Sequence, residues 1–130
     1  MKSLLGKTYA QLTSQLRVKP EKHLHSVQDT GSYSIFVDGN EFLFSDDRLF
    51  SVEVSDFSAV NRIPGFEFPI GDGLEQTLEN LTDKNMHWEV YPKYSREHWV
   101  VIKLMEHGVL YEFEFIGGRF ELRFLRLEAQ

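Results

Sequence analysis

The chain contains no cysteine and no long apolar run, and each absence excludes a class of protein. Without cysteine it has no disulfide, no thiolate metal site and no thiol nucleophile, which fits a protein kept in a reducing compartment. No apolar run approaches the roughly 18 residues of a membrane span, and Lys7 interrupts the N-terminal run before it reaches signal-peptide length. We therefore expect a cytoplasmic protein with no membrane partner.

Basic residues are scarce in the middle of the chain. Residues 29–89 hold 13 of the 20 acidic residues and only three basic ones, a net charge of −10, whereas residues 1–28 carry +4 and residues 90–130 are balanced. This excess of negative charge creates an electrostatic field that repels nucleic acid and anionic lipid and attracts a basic partner. An acidic surface also keeps a small protein soluble, so composition alone leaves both roles open. We expect no nucleic-acid partner.

The sequence lacks the motifs that carry common enzyme chemistry. No serine lies in a Gly-x-Ser-x-Gly elbow, and Gly71-x-Gly73 lacks the third glycine and the Lys-Ser/Thr ending of a phosphate loop. Two histidines at alternate positions, His23 and His25, are able to chelate a metal, but no third ligand accompanies them. We expect no enzymatic activity, no metal and no cofactor.

Apolar residues at helical spacing predict a helix near the N-terminus, carried by Leu5, Tyr9, Leu12 and Leu16. Thr8 and Gln11 form a capping box that begins it. Asp72 and Glu75 form a second capping box, which predicts another helix from about Gly73 to Asp83.

Alternating apolar residues predict strands in the remaining segments. A hairpin turns at Asp38-Gly39, and a third strand follows with one face made of Arg48, Phe50, Val52 and Val54. Strands are also expected at residues 86–91 and 98–106. The next strand is expected to place its aromatic residues inward and its acids outward, namely Tyr111, Phe113 and Phe115 against Glu112 and Glu114. The apolar phase changes at Phe124–Leu125, which predicts a bulge or a bend.

These elements predict one α+β domain spanning residues 1–130. Its core is a curved antiparallel sheet of about six strands, with the N-terminal helix and the mid-chain helix packed on it. Residues 55–72 are expected to form an irregular loop pinned by apolar side chains, which are Phe57, Ile63, Phe66, Phe68 and Ile70.

Three segments together carry a resemblance to a known protein family. They are the opening Leu4-Leu5-Gly6-Lys7-Thr8-Tyr9-x-x-Leu12, the segment Phe66-x-Phe68-Pro69-x-Gly71-x-Gly73-Leu74, and the Trp99 strand with two glycine-turned strands behind it. The layout resembles small bacterial immunity proteins, which neutralise a cognate toxin domain in contact-dependent inhibition and pyocin systems. The resemblance covers most of the chain. It implies a cytoplasmic, non-enzymatic protein that binds one toxin domain, frequently a basic nuclease.

The first functional hypothesis is therefore a toxin-neutralising protein, expected to be a monomer when free. Its acidic residues would contact the Lys and Arg side chains with which a nuclease holds phosphates. The candidate toxin-binding residues are Asp46, Asp47, Glu53, Asp56, Glu67, Asp72, Glu75, Glu79 and Asp83. Asp72 serves equally well as a helix cap.

The second hypothesis is a small-ligand-binding domain with an aromatic-lined pocket in a cone-shaped, curved sheet. A ligand pocket needs polar groups that converge among apolar walls. The candidates for these groups are His87, His98 and Tyr111. Trp88 and Trp99 flank the loop from Pro92 to Arg96, where they are either core residues or a recognition surface.

Overall fold

A computed structural model of the protein describes residues 4–58 and 67–128. Over these residues the fold is α+β, with two helices and one open antiparallel sheet of eight strands. In chain order the elements are α1 (Tyr9–Leu16), β1 (His23–Leu24), β2 (Tyr33–Val37), β3 (Asn40–Ser45), β4 (Arg48–Val54), α2 (Gly73–Asp83), β5 (Trp88–Val90), β6 (Trp99–Leu104), β7 (Val109–Ile116) and β8 (Arg119–Glu128).

The sequence predicted the fold class correctly but too few strands, about six instead of eight. β1 is the unpredicted strand: it has two exposed residues, which are too few for any alternation of buried and exposed positions to show. β5 is also short, with three residues of the six predicted.

The described residues fall into two compact units. The first contains residues 4–58, 67 and 127–128, and its strands follow the order β1-β2-β3-β4. The second contains residues 68–126, and its strands follow the order β8-β7-β6-β5. Each unit has buried apolar side chains, for example Ile35, Phe42 and Val52 in the first and Ile102, Tyr111 and Phe113 in the second.

The predicted first helix is confirmed together with its cap. Thr8 is the N-cap, its hydroxyl accepts the Gln11 N–H, and the Gln11 side chain accepts the Thr8 N–H in return. The helix ends at Leu16 because Arg17 adopts a left-handed conformation (φ 58°) and donates its N–H to the Thr13 carbonyl.

Two tight turns join β2, β3 and β4. Asp38 and Gly39 have φ values of 52° and 82°, as a type I′ turn requires, so the predicted Asp-Gly hairpin is confirmed. Asp46 and Asp47 also have positive φ, 55° and 60°, although neither is glycine. Left-handed backbone is uncommon outside glycine, although aspartate and asparagine tolerate it best.

The predicted face of β4 is wrong in its first half. Phe50 was expected to share a face with Val52, but it is 40% exposed while Leu49 is buried. The cause is a shift in register: Leu43 pairs with Ser51 and Phe44 with Leu49, so Phe50 is an extra residue without a partner on β3. A bulge of this kind moves the preceding side chains to the opposite face.

The aromatic pattern of β7 is confirmed for Tyr111 and Phe113, which are fully buried, but not for Phe115, which is 44% exposed. The pairing of β7 with β6 ends at Glu114. Phe115 therefore extends beyond β6 and packs against Phe120.

The residues after the predicted change of phase in the last strand are the more deeply buried ones. Phe124 is half-buried, whereas Leu125 and Leu127 are almost fully buried. β8 continues unbroken through this point. The bulge or bend that we inferred there stays a prediction.

The irregular loop at residues 55–72 is described only in part. Phe68 is buried, and Phe57 and Ile70 are half-buried. Ile63 and Phe66 lie outside the described residues.

Asn40 holds the chain that leaves β4. Its side chain is fully buried, and Oδ1 accepts the N–H groups of Ser55 and Asp56, both at 2.9 Å. Replacing Asn40 with alanine removes the acceptor of two N–H groups, so we expect the free energy of unfolding to fall by about 2–4 kcal/mol. Urea unfolding of Asn40→Ala measures this loss. Ser45→Ala, at an exposed position on the same strand, is the control, and equal effects of the two changes would contradict the assignment.

Candidate protein-binding surface

The first acidic feature is the turn between β3 and β4, formed by Asp46 and Asp47 and called here the acidic turn. Both residues are exposed. The Asp47 N–H donates to the Gly31 carbonyl at 3.0 Å, which fixes the turn against the preceding loop. Within residues 4–58 and 67–128, no basic side chain lies within 4 Å of either carboxylate. The acidic turn therefore presents two uncompensated charges.

Asp47 also acts on the buried ring of Tyr33. Burial, followed by the negative charge of Asp47, raises the pKa of the Tyr33 hydroxyl to about 12. The ring stacks on Phe44, with 4.8 Å between the ring centroids, so this acid borders directly on the core of the first unit.

Glu53 and Asp56 lie away from the acidic turn. Glu53 pairs with Glu41 across β3 and β4, and Asp56 follows the C-terminal end of β4. At about 3.3 Å per residue, β4 separates them from Asp47 by roughly 20 Å, so these predicted site residues form no single patch. Both make further contacts that hold them. Glu67 is exposed and directly follows the segment that the structure does not describe.

The second acidic feature is a stripe on α2, formed by Glu75, Glu79 and Asp83 and called here the acidic stripe. Residues four apart share a helix face, and all three are exposed. Successive carboxylates are about 6 Å apart along the helix axis, because the rise is about 1.5 Å per residue. Among the described residues no basic side chain forms an ion pair with them.

A shallow cleft borders the acidic stripe. Its walls are Leu78, Thr82 and Trp88, and Glu79 and Asp83 stand at its edge. The Trp88 indole N–H donates to the Thr82 hydroxyl at 3.0 Å, which fixes the ring beside the helix. We call this the Trp88 cleft; its volume is about 340 Å³.

Asp72, the remaining predicted site residue, is engaged by a neighbour. Its carboxylate lies 2.8 Å from Arg119 Nη2. Asp72 is the N-cap of α2, but its side chain makes no capping hydrogen bond, so the predicted capping box with Glu75 is wrong. The Gln76 side chain accepts the Asp72 N–H in place of Glu75. The Asp72 carboxylate thus forms an ion pair with Arg119 and does not cap the helix.

Gly71 and Gly73 make this arrangement possible. A Cβ on Gly71 would lie 2.6 Å from the Thr77 backbone nitrogen, and a Cβ on Gly73 would overlap the Arg119 guanidinium. The Gly-x-Gly segment therefore allows close packing at the start of α2, in agreement with its interpretation as a helix start.

The residues proposed for a small-ligand pocket do not converge. Tyr111 is fully buried and donates its hydroxyl to the Pro69 carbonyl at 2.8 Å, whereas His87 and His98 are exposed. A fully buried side chain cannot line an open pocket beside them. Burial also raises the pKa of Tyr111 well above its usual value.

The histidine pair is engaged by protein groups. His25 hydrogen-bonds to Ser34 at 2.8 Å, and His23 packs edge-on against Phe36. Across residues 4–58 and 67–128 there is no group of three or more side chains able to hold a metal. No helix in that part of the chain is long and apolar enough to cross a membrane.

Sequence reasoning missed the environment of Glu112. It was expected to face solvent, but its side chain is only 14% exposed, and its carboxylate accepts the Trp99 indole N–H at 3.3 Å. Glu112 lies on the face of β7 opposite Tyr111, and that face is partly covered. The alternation of aromatic and acidic residues along β7 predicts which side chains share a face, but it does not predict which residues cover the face of Glu112.

Tyr33 provides a pH test of the acidic turn. The folded-state pKa of the Tyr33 hydroxyl is raised above its usual value near 10, so the folded protein favours the protonated hydroxyl. The stability that this hydroxyl contributes is therefore fully present below pH 10 and is lost as the pH rises toward 12. Asp47→Asn removes a nearby negative charge and is expected to lower the Tyr33 pKa. Tyrosinate absorbance measures this, with Tyr33→Phe identifying the transition; an unchanged titration in Asp47→Asn would contradict the coupling.

The acidic stripe has a cost in helix stability that is measurable. Glu79 has a like charge four residues away on either side, and such pairs destabilise helices. Glu79→Gln is therefore expected to raise the midpoint of urea unfolding. Glu106→Gln, which removes the same charge at an exposed position outside α2, is the control and is expected to leave the midpoint unchanged. A lower midpoint for Glu79→Gln would show that Glu79 has a stabilising partner.

No protein-family model, no curated protein and no solved structure matches the chain. The acidic stripe with the Trp88 cleft is the arrangement that combines charge with an apolar anchor point.

Proposed function

We propose that the protein is a non-enzymatic cytoplasmic inhibitor of the immunity type, which binds a basic toxin domain such as a nuclease. The observation that carries this proposal is the acidic stripe of Glu75, Glu79 and Asp83 beside the Trp88 cleft. The partner would supply the Lys and Arg side chains that otherwise hold nucleic-acid phosphates. The protein would act as a monomer before it meets the toxin.

The charges of the acidic stripe match a row of cations. Three carboxylates repeat at about 6 Å along one helix face, and among the described residues none of them forms an ion pair with a basic side chain. Charges arranged in this way accelerate the encounter with an oppositely charged surface and fix its register. The acidic turn adds to the long-range field that attracts such a partner.

The Trp88 cleft offers an anchor for one basic side chain. A lysine or arginine would lay its aliphatic stem against Leu78 and place its charge over the indole or beside Glu79. The hydrogen bond to Thr82 already orients the indole, so little freedom is lost on binding. Aromatic side chains in such pockets are typical binding hot spots.

The stripe is unfavourable for the isolated helix. Its acidic residues repel each other at a spacing of four residues, and Asp83 lies at the negative end of the helix dipole, where the C-cap Lys84 is the one basic residue beside it. A cationic partner removes both penalties on binding. This supports a role in recognition, because a surface that only kept the protein soluble would not need charges in this unfavourable order.

The test uses a basic nuclease toxin domain, and the genes beside that of this protein are the first place to search for it. Its association rate with the protein, measured by stopped-flow fluorescence, is expected to fall steeply as salt rises, because the Debye length shrinks from ~30 Å at 0.01 M to ~10 Å at 0.1 M. The double variant Glu75→Lys/Glu79→Lys is expected to lower this rate at low salt by at least about tenfold. The variant should also fail to protect cells that express the toxin.

The control is Glu97→Lys/Glu106→Lys, which makes the same change in net charge at two exposed positions away from the stripe. We expect a much smaller loss of rate. Glu112 does not serve here, because its largely buried carboxylate holds Trp99. Equal effects of the two double variants, or association that ignores salt, would contradict the proposal.

A further inference from the structure

A second cleft in the unit of residues 68–126 has the opposite electrostatic character. It has a volume of about 370 Å³ and is called here the Trp99 pocket. The side chains that give it its chemistry are Lys93, Tyr94, Arg96, Trp99, Leu110 and Arg126. Its size falls in the range of about 300–1,000 Å³ typical of small-molecule sites.

The floor of the Trp99 pocket is fixed by Glu112. One carboxylate oxygen accepts the Trp99 indole N–H at 3.3 Å, and the other lies 3.6 Å from Arg126 Nη2. The acid thereby holds the aromatic ring by a hydrogen bond, lies beside the guanidinium without a hydrogen bond to it, and is itself largely removed from solvent. Since the charges of Glu112 and Arg126 offset each other, the floor is ordered and close to neutral.

The rim is fixed by the loop that precedes β6. The Ser95 hydroxyl donates to the Tyr91 carbonyl at 2.9 Å and accepts the Val101 N–H at 3.0 Å, which attaches the loop to the strand. Arg96 and Trp99 exchange two backbone hydrogen bonds, at 2.7 and 3.0 Å. The backbone of Arg96 is therefore fixed opposite that of Trp99, and both side chains line the pocket.

Two cations of the rim lack a counter-charge. Lys93 and Arg96 are exposed, and within residues 4–58 and 67–128 neither lies within 4 Å of a carboxylate. Lys93 lies 5.4 Å from the centroid of the Tyr94 ring. A protein with a net charge of −6 thus has two uncompensated positive charges beside an aromatic pocket.

We propose that the Trp99 pocket binds a small molecule in which a phosphate monoester is attached to a flat ring. The ring would lie among Trp99, Tyr94 and Leu110, and the phosphate dianion would meet Lys93 and Arg96. A dianion matches two cations, and a guanidinium binds phosphate oxygens in pairs. The proposal is independent of toxin binding, because it uses none of the acidic residues of that surface.

The binding test uses phenyl phosphate as the probe and Trp99 as the reporter. The chain has two tryptophans, so a Trp88→Phe background leaves Trp99 as the one fluorescent indole. We expect saturable quenching by phenyl phosphate, with a Kd at least about tenfold below those of phenol and inorganic phosphate, because each half of the ligand makes only part of the contacts. Equal affinity for phenyl phosphate and phenol, or the absence of saturation, would overturn the proposal.

Matched variants test which basic side chains bind the phosphate group. Lys93→Gln and Arg96→Gln are each expected to weaken phenyl phosphate binding about tenfold, the effect of losing one charge-assisted hydrogen bond, without changing phenol binding. Lys84→Gln removes the same charge at an exposed position outside the pocket and should change neither. An equal loss of phenyl phosphate affinity in Lys84→Gln would show that the effect comes from net charge, and it would overturn the proposal that the Trp99 pocket binds the phosphate. Toxin association measured on Lys93→Gln keeps this outcome separate from the proposed function.

Discussion

The direction of the acidic stripe depends on how closely the chain approaches the first turn of α2. Gly71 packs against the backbone of Gln76 and Thr77 at distances that no Cβ would allow. Its N–H donates to the Thr77 hydroxyl, which in turn donates to the Gly73 carbonyl, so one buried threonine ties the entry segment to the helix. Because α2 has only 11 residues, its first turn sets the direction of the whole stripe.

The surfaces of the two proposed interactions use opposite arrangements of charge. On α2 the acids stand together without compensation, and the helix is weaker for it. In the Trp99 pocket one largely buried acid, Glu112, has its charge offset by Arg126 and holds the Trp99 indole instead of standing free to meet a ligand. The paired charges help to fix the geometry of the Trp99 pocket, whereas the unpaired charges of the acidic stripe are available to a partner.

Local patterns predicted the helices, the hairpin turns and most strands, because these depend on neighbours in the sequence. Thr8 caps α1 as predicted, and the turn at Asp38-Gly39 has the expected backbone. The predictions failed where a residue far away in the sequence decided the local structure. Arg119, 47 residues away in sequence, takes the Asp72 carboxylate that was expected to cap α2. The bulge at Phe50 depends on pairing with β3, which the sequence of β4 does not contain.

The candidate site was predictable only in part, for the same reason. Spacing of four along α2 places Glu75, Glu79 and Asp83 on one face, and this follows from helix geometry alone. The separation of Glu53 and Asp56 from the acidic turn follows from the length of β4, which the sequence also indicated. The Trp88 cleft depends on how the chain turns back between α2 and β5, and the Trp99 pocket brings Arg126 to the loop before β6; periodicity predicts neither contact.

The ends of the sheet bear on how the protein behaves when concentrated. In the strand order of the described sheet, β1 and β5 are the terminal strands, with two and three residues. Glu89 on β5 and the neighbouring His87 place ionisable groups at one of these edges. Short, charged edges give another molecule little backbone to extend by strand pairing. Edge-to-edge pairing between copies of the chain is therefore disfavoured at both ends of the described sheet.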